Sequence, residues 1–283
     1  MSALRANHAS DTLSRRGRRG AGAARRLGAP AAILTCLAVL TGCAPEPASP
    51  PPPPPGAIPA GQSIGSASIE GRVVFEGVPP LRRPIRMSSE AACHRPGSDA
   101  LSEDIVVSPG GGLKNAYVHI TSGLGDRVFA PPAAPGVVDQ AGCLFVPHVL
   151  DVQTNQVIEF ANSDPVVHNV RAICEKNRPF NISMPGKGKR VRRYFSVPEI
   201  VKIRCDIHAW MSAYIAVESH PFHRVTGDDG SFAFKGLPAG KYVVEAWQEK
   251  LGTAQQTVQV GEGETRTIEF TFRGRPAPGS PPG

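Results

Sequence analysis

The residues with the most specific chemistry lie in two short segments near the middle of the chain. The first contains His168. The second runs from Cys205 through His208 to Met211 with the spacing Cys-x-x-His-x-x-Met. Together these side chains offer one thiolate, two imidazoles and one thioether, the ligand set of an electron-transfer copper site with two His and one Cys around the metal and a weak axial Met. The spacing therefore predicts one copper ion held by these four residues.

Other metal sites and redox motifs fit this pattern less well. A structural zinc site needs a second Cys/His pair at similar spacing, and neither the C-x-x-C-H of attached haem nor the C-x-x-C of thiol exchange occurs. If each residue is considered alone, Cys205 is predicted to be a buried apolar residue and His168 a hydrogen-bonded loop histidine. Met184 is a rival axial ligand, but the turn predicted around it favours a surface or packing role. The remaining histidines of the later chain are predicted to be ordinary surface or hydrogen-bonded residues: His94, His119, His148, His220 and His223.

The N-terminal residues 1–42 have the pattern of an export signal. Seven arginines lie between Arg5 and Arg26, and a stretch of apolar and small residues follows from Leu27 to Gly42. The Leu-Thr-Gly-Cys at its end resembles a bacterial lipobox, which implies that the signal is removed and that Cys43 carries lipid. The alternative is an ordinary secretory signal with an incidental cysteine. The lipobox predicts a lipid-anchored protein of the cell envelope, either periplasmic or at the outer membrane.

Most of the net positive charge of the chain lies in this predicted signal. The chain carries a formal charge of +7. Seven arginines and one aspartate in residues 1–42 account for six of these charges, so the chain from Cys43 onward carries +1. The basic isoelectric point therefore does not predict a nucleic-acid partner.

Two stretches have compositions that do not build a hydrophobic core. Residues 43–67 are Pro-rich and include an unbroken run from Pro50 to Pro55, which predicts a polyproline II linker between a membrane anchor and the folded domains. Residues 274–283 are again rich in Pro and Gly and predict a disordered tail.

The chain between these stretches predicts an all-β fold. Short apolar or alternating runs recur between Gly, Pro, Asn and Asp residues, a pattern typical of β-sandwiches. The predicted strands are Ile69–Phe75, Ile105–Ser108, Ala116–Thr121, Gln156–Phe160, Val201–Cys205, Tyr214–Val217, Tyr242–Trp247, Thr257–Val260 and Thr267–Phe272.

The segment from about Val137 to Val217 resembles the cupredoxins, particularly plastocyanin and amicyanin, which predicts a cupredoxin domain over residues 126–219. The tripeptide His-Asn-Val at 168–170 matches that of plastocyanin, and Val201–Cys205 matches the strand that delivers the thiolate. Gln156–Asn162 is similar to the strand leading into the first copper loop, and Gly142–Pro147 is similar to the second strand of the family. The short ligand loop is similar to that of amicyanin.

The cupredoxin resemblance implies a Greek-key sandwich that binds one type 1 copper through His168, Cys205 and His208, with Met211 axial. It also implies a hydrogen bond from Asn169 across to the Cys205 loop, which supports the thiolate. In the family, electrons pass through the exposed edge of the late-loop histidine, here His208. The residues expected to form an apolar rim around this edge are Pro165, Ala209 and Trp210.

Residues 220–273 resemble the carboxypeptidase-regulatory-like, or transthyretin-like, β-sandwich, a small immunoglobulin-like fold. The resemblance rests on an Asp229-Gly230 turn followed by Phe232, and on a Pro-x-Gly-x-Tyr turn at 238–242. The segment is short for a complete sandwich, and residues 68–125 contain strands similar to the missing ones. We therefore expect a discontinuous sandwich with the cupredoxin-like domain inserted into it. Two consecutive independent modules are the alternative.

The cysteines beyond Cys43 are Cys93, Cys143, Cys174 and Cys205. In an oxidising compartment, two of the three that are not copper ligands are expected to pair. We favour Cys93–Cys143, which would tie the N-terminal segment to the cupredoxin-like domain, although spacing alone does not fix the pairing. No role is predicted for Cys174.

These features predict an electron carrier rather than an enzyme, with an unidentified redox protein as its partner. A basic run in residues 187–193 reads either as a solvated hairpin loop or as a docking patch for an acidic partner. Its members are Lys187, Lys189, Arg190, Arg192 and Arg193. Two other functions remain open at this point. One is a copper-free adhesion or carbohydrate-binding lipoprotein on a cupredoxin scaffold, and the other is copper storage or delivery.

Overall fold

The structure, a computed structural model, describes residues 49–87, 90–93 and 100–274. The predicted signal peptide, Cys43, His94 and most of the predicted tail lie outside these ranges. Within them the chain forms β-strands and no helix, so none is long and apolar enough to cross a membrane. The prediction of an all-β fold is confirmed.

The strands in chain order are β1 (Ala67–Glu76), β2 (Val106–Val107), β3 (Leu113–Lys114), β4 (Tyr117–Ser122), β5 (Gly136–Gln140), β6 (Phe145–Val146), β7 (Val149–Gln153), β8 (Ile158–Asn162), β9 (His168–Ile173), β10 (Phe180–Met184), β11 (Arg190–Arg193), β12 (Glu199–Arg204), β13 (Ser212–Glu218), β14 (His223–Val225), β15 (Ser231–Leu237), β16 (Gly240–Gln248), β17 (Gly252–Val260) and β18 (Thr265–Arg273).

The first sandwich combines strands from both ends of the described chain. One sheet has the order β15-β1-β18, and the other has the order β14-β4-β16-β17. Alternate residues of β1, such as Ile69 and Val73, are buried between the sheets, while Glu70 and Arg72 face outward. Gly71 lets β1 approach β18 closely, because a Cβ there would lie 1.9 Å from the Ile268 carbonyl oxygen.

The second sandwich is formed by β5 to β13, which lie in the chain between β4 and β14 of the first. Its sheets have the orders β10-β9-β12-β13-β7 and β11-β8-β5-β6. They enclose a separate core that includes Phe160, Val201 and Ile215. The predicted strand at Gly142–Pro147 is largely wrong. Only Phe145–Val146 is extended, because Gly142 and Cys143 form a turn with positive φ angles of 64° and 58°.

Three histidine–carboxylate pairs join the two sandwiches, and in each pair one residue belongs to the first sandwich and the other to the second. They are His119–Glu218 at 2.6 Å, His223–Asp151 at 3.0 Å, and His148–Glu249. Burial alone would raise the pKa of Glu218, but the hydrogen bond to His119 and the positive charge of His220 lower it to about 2. These histidines are therefore hydrogen-bonded residues of the interior and not surface residues.

Part of the predicted linker lies against the first sandwich. Ile58 forms a parallel bridge with Phe129, and its N–H donates to the Val128 carbonyl at 2.8 Å. Ile64 donates its N–H to the Gly236 carbonyl at 3.0 Å, and both isoleucines pack on the first core.

The segment between β1 and β2 leaves the first sandwich and reaches the second. Ile85 donates its N–H to the Ala100 carbonyl at 2.7 Å, which brings the two arms of the segment together. Beyond this point, Met87 and Cys93 are buried in the core of the second sandwich. Cys93 forms a disulfide with Cys143 in the turn before β6.

Candidate metal centre

Two neighbouring strands bring the predicted ligands to one end of the second sandwich. His168 is the first residue of β9, and Cys205 directly follows β12. The two strands are antiparallel neighbours, with Arg204 paired to Arg171, so the start of one meets the end of the other. Met211 directly precedes β13, which makes the ligand loop the hairpin connection between β12 and β13.

Backbone hydrogen bonds close this ligand loop. The Cys205 N–H donates to the Met211 carbonyl at 3.1 Å, and the Met211 N–H donates to the His208 carbonyl at 2.9 Å. The loop is thus a tight turn fixed at both ends, and the directions of its side chains are set by the backbone.

The donor atoms of three predicted ligands converge. The two Nδ1 atoms of His168 and His208 lie 2.9 Å apart, and the Cys205 sulfur lies 3.8 Å from Nδ1 of His208. The three side chains are between 0% and 4% exposed. A single ion with metal–nitrogen distances of about 2.0 Å and metal–sulfur distances of about 2.3 Å separates its donors by roughly 3–4 Å. The arrangement therefore fits one metal ion bound by one sulfur and two nitrogens.

A second group of potential ligands in the described chain comprises Cys143, Asp164 and His168. The Cys143 sulfur is committed to the disulfide and is not a thiolate ligand. Among the described residues, the convergence of a thiol with two imidazoles is specific to the predicted centre.

The environment of Cys205 favours its thiolate form. Burial alone would raise the pKa of this thiol. Hydrogen bonds with the His168 imidazole and from the backbone N–H of Asn169 outweigh burial, so the pKa is lowered overall. The backbone N–H groups of His208 and Ile207 act in the same direction. The loop therefore favours the deprotonated sulfur of Cys205, which is the form that binds a metal ion.

The two histidines differ in their proton affinity. Burial, together with the charge of the neighbouring His168, lowers the pKa of His208 and favours the neutral imidazole. Burial also acts to lower the pKa of His168, but interactions with Cys205 and Asp164 raise it overall. Metal binding requires neutral imidazoles, so protonation of His168 would compete with it.

Asp164 is a functional candidate that the sequence did not reveal. Its Oδ2 lies 3.0 Å from Nε2 of His168, so a proton on Nε2 leaves the lone pair of Nδ1 facing the centre. The same carboxylate accepts the N–H groups of Gly142 at 2.7 Å and Cys143 at 2.8 Å. Nothing in the sequence distinguishes Asp164 from an aspartate in an ordinary Asp-Pro turn.

Asn169 joins β9 to the ligand loop. Its Oδ1 accepts the Asp206 N–H at 2.7 Å and lies 3.2 Å from the Cys205 sulfur. Its Nδ2 donates to Asn181 at 2.6 Å and to Asp206 at 3.2 Å. The side chain therefore holds the residue after the thiolate, as the cupredoxin resemblance implies.

Two methionines are buried beside the centre. Met211 belongs to the ligand loop and is fully buried. The prediction that Met184 lies in a turn is wrong, because it ends β10 and is directly paired with His168. Residues opposed across an antiparallel pair project on the same face, so the Met184 side chain is on the face of His168. Both methionines are fully buried, so burial alone does not decide which of them is the axial ligand.

The predicted rim around His208 is only partly at the surface. Pro165 and Ala209 are exposed. Trp210 is half-buried, with its ring centroid 5.1 Å from that of His208 and its Nε1–H donating to the Cys143 carbonyl at 3.0 Å. His208 is 4% exposed, so little of its surface reaches solvent.

Comparisons with known proteins return similar structures but no family. No protein-family model and no curated protein matches the chain. Among solved structures, a copper-containing nitrite reductase from Thermus scotoductus SA-01 is 27% identical over 35% of this chain, with a TM-score of 0.30, and the match spans 25% of the reductase. A purple cupredoxin from Nitrosopumilus maritimus is 21% identical over 29% of this chain and 99% of its own, with a TM-score of 0.26. An oxidised amicyanin variant is 18% identical over 41% of this chain and 94% of its own, with a TM-score of 0.28.

Proposed function

We propose that this chain is an electron carrier of the cell envelope that binds one type 1 copper. His168, Cys205 and His208 would hold the ion and Met211 would be its axial ligand. Bound copper supplies a one-electron couple between Cu(I) and Cu(II). The observation that carries the proposal is the convergence of the buried Cys205 sulfur with the Nδ1 atoms of both histidines. No bond-making step is assigned to the protein.

Copper titration of the metal-free protein tests this function against its alternatives. A Cu(II)–thiolate centre of this kind gives the intense blue colour from which the class takes its name. We expect the colour to reach its maximum at one equivalent of copper. Copper bound without colour would indicate storage or delivery, and no copper binding would indicate a scaffold without the metal.

Replacement of the two methionines tests which one is axial. A thioether is a weak, long ligand that tunes the reduction potential more than it binds the ion. Met211→Leu is therefore expected to keep copper and colour but to raise the potential in voltammetry, because losing axial donation disfavours Cu(II). Met184→Leu is the matched control, since it is equally buried and beside His168. A shift with Met184→Leu alone would assign the axial position to Met184.

The lipid anchor is tested at Cys43. If this residue carries lipid, Cys43→Ala is expected to move the protein from the membrane fraction to the soluble periplasmic fraction, because a lipid-anchored protein without its anchor has no membrane attachment. The measurement is fractionation of cells followed by immunodetection. A wild-type protein already soluble after lysis would contradict the lipoprotein proposal.

The proposed redox partner is an acidic protein. In this basic run, Arg190 and Arg192 form ion pairs with Glu159, whereas Lys187 and Lys189 are exposed. Their loop meets the ligand end of β8, where the Gly188 N–H donates to the Asn162 carbonyl at 2.7 Å. Positive charge at this end would steer an acidic partner toward the centre.

Charge reversal of this loop is expected to alter encounter rates. Lys187→Glu/Lys189→Glu should slow oxidation of the Cu(I) protein by anionic hexacyanoferrate about tenfold at low ionic strength, and should accelerate oxidation by a cationic cobalt complex. Stopped-flow absorbance measures both rates. The matched control is Lys235→Glu/Lys241→Glu on the first sandwich. Equal effects of the two double variants would remove the docking role from this loop.

A further inference from the structure

His119 on β4 has a carboxylate at each nitrogen of its ring. Its Nδ1 lies 2.6 Å from Oε2 of Glu218, the last residue of β13 in the second sandwich. Its Nε2 lies 3.3 Å from Oε1 of Glu245, on the neighbouring strand β16 of the first sandwich. An ionised carboxylate only accepts hydrogen bonds, and a neutral imidazole donates from only one nitrogen. Both contacts are therefore hydrogen bonds only when the ring carries two protons and a positive charge.

Loss of one proton weakens this arrangement in either form of the neutral ring. The contact with Glu218 is then no longer an ion pair, and one of the two carboxylates faces a nitrogen lone pair instead of an N–H. The side chains of His119 and Glu218 are only 14% and 10% exposed, so water screens their interaction poorly. The link between the sandwiches at this point therefore depends on the charge of His119.

Two other ionisable neighbours do not supply this charge near neutral pH. The Tyr117 ring stacks on His119 with centroids 4.7 Å apart, and burial holds the pKa of its hydroxyl well above the usual value. Nε2 of His220 lies 3.6 Å from Oε1 of Glu218, but burial lowers the pKa of this histidine, so it is charged only at acidic pH. The positive charge that faces Glu218 near neutral pH is therefore that of His119.

The neighbouring link between the sandwiches needs only one proton. His223 on β14 is directly opposite His119 in the pairing of β14 with β4, and its Nδ1 lies 3.0 Å from Oδ2 of Asp151 on β7. The hydrogen bonds of the described chain give this ring one carboxylate partner, so a neutral tautomer with its proton on Nδ1 keeps the contact. The two histidines therefore differ in their expected response to pH, although each joins the same two sandwiches.

We propose that His119 is a pH-dependent clasp between the two sandwiches, closed when its ring carries both protons and weakened when one is lost. Burial acts to raise the pKa of Glu218, but its hydrogen bond with His119 brings it to about 2, so this carboxylate stays ionised across the change. A histidine without other influences loses its proton at about pH 6.5. The clasp therefore contributes stability at acidic pH and loses that contribution as the pH rises. The inference goes beyond the proposed electron transfer and does not depend on copper.

Glu245→Gln tests the clasp by removing its need for the second proton. One oxygen of Glu245 faces His119 and the other accepts the Gln255 amide, so a glutamine here presents its carbonyl to Gln255 and its amide to His119. A neutral His119 then accepts from this amide at Nε2 and donates to Glu218 from Nδ1. Both contacts survive without the charge, so the variant is expected to lose its pH dependence while keeping the interface.

Hydrogen exchange of the full metal-free chain measures this effect in the peptides that contain His119 and Glu218, after correction for the intrinsic effect of pH. From about pH 6 to about pH 8.5 we expect exchange in the wild type to rise about tenfold, and in Glu245→Gln less than about twofold. Glu269→Gln, at an exposed position on β18, is the matched control and should behave as the wild type. A wild type without pH dependence, or a Glu245→Gln variant that keeps it, would overturn the proposal.

His119→Gln decides the case in which Glu245→Gln disturbs the pairing of β4 with β16. A glutamine at this position has no proton to lose in this pH range, so exchange of the same peptides is expected to be fast and equal at both pH values. A wild-type pH dependence that persists in His119→Gln would assign it to another pair, such as His223 and Asp151, and the clasp would be wrong. All of these measurements are made without copper, so their outcome is independent of whether the protein gives a blue colour.

Discussion

Cys205→Ser is expected to abolish the blue colour and the redox cycling of the copper-loaded protein while leaving both sandwiches folded. The colour of such a centre depends on a Cu(II)–thiolate bond, which a serine hydroxyl does not supply. The smaller side chain fits the same buried site, and the Asn169 Oδ1 near the sulfur is able to accept the new hydroxyl. A buried hydroxyl that has a hydrogen-bond partner avoids the penalty of about 1–3 kcal/mol that an unsatisfied polar group carries.

The absorption spectrum and voltammetry of the copper-titrated protein measure this effect, and circular dichroism measures the fold. Cys174→Ser is the matched control, because Cys174 follows β9 of the same sandwich but lies outside the ligand loop. Its spectrum should equal that of the wild type. If Cys205→Ser also keeps the spectrum, Cys205 is not a ligand and the copper proposal fails.

Asp164→Asn is expected to weaken copper binding about 10–100-fold, the usual cost of losing the carboxylate partner of a metal-binding histidine. The asparagine amide would place a donor where His168 Nε2 and the Cys143 N–H now meet a carboxylate oxygen. Losing an acceptor for buried N–H groups should also lower the free energy of unfolding by about 1–3 kcal/mol.

Asp139→Asn separates these effects from a general loss of charge. Asp139 accepts the Ser163 hydroxyl at 2.7 Å beside the same loop, yet has no contact with His168 among the hydrogen bonds of the structure. Competition with a copper chelator measures affinity, and urea unfolding measures stability. Equal copper affinity in the two variants would mean that Asp164 supports the turn and not the metal centre.

The sequence predicts those parts of this protein that depend on neighbouring residues. Cys205, His208 and Met211 lie within one hairpin connection. Their relative positions are set by neighbouring residues, so the spacing in the sequence predicts them. The strand predictions succeeded for the same reason, since alternation within a strand reflects its two faces. Each predicted run, from Ile69–Phe75 to Thr267–Phe272, overlaps a strand of the structure.

The features that the sequence did not reveal depend on distant pairing. Met184 lies on the face of His168 because β10 pairs with β9, a register that no local pattern encodes. Asp164 contacts His168 only four residues away, but its carboxylate is held in place by Gly142 and Cys143, which are 22 and 21 residues away. The histidine–carboxylate pair of His119 and Glu218 spans 99 residues and joins different sandwiches. Such contacts follow from topology and are visible only in three dimensions.

The nesting of one sandwich within the other makes the inner sandwich independent of the last strands of the chain. Strand β1 pairs with β15 and β18, and the Arg72 side chain bonds to the Asp229 carbonyl 157 residues later in the chain. The strands of the second sandwich, β5 to β13, are contiguous and are all synthesised before those partners of β1. The inner sandwich is therefore able to fold first. Until β15 and β18 are made, both edges of β1 are unpaired and can form hydrogen bonds with other chains. Pro59 before this strand and Pro79 and Pro80 after it limit how far such a misplaced sheet extends, because proline cannot donate to a strand ladder.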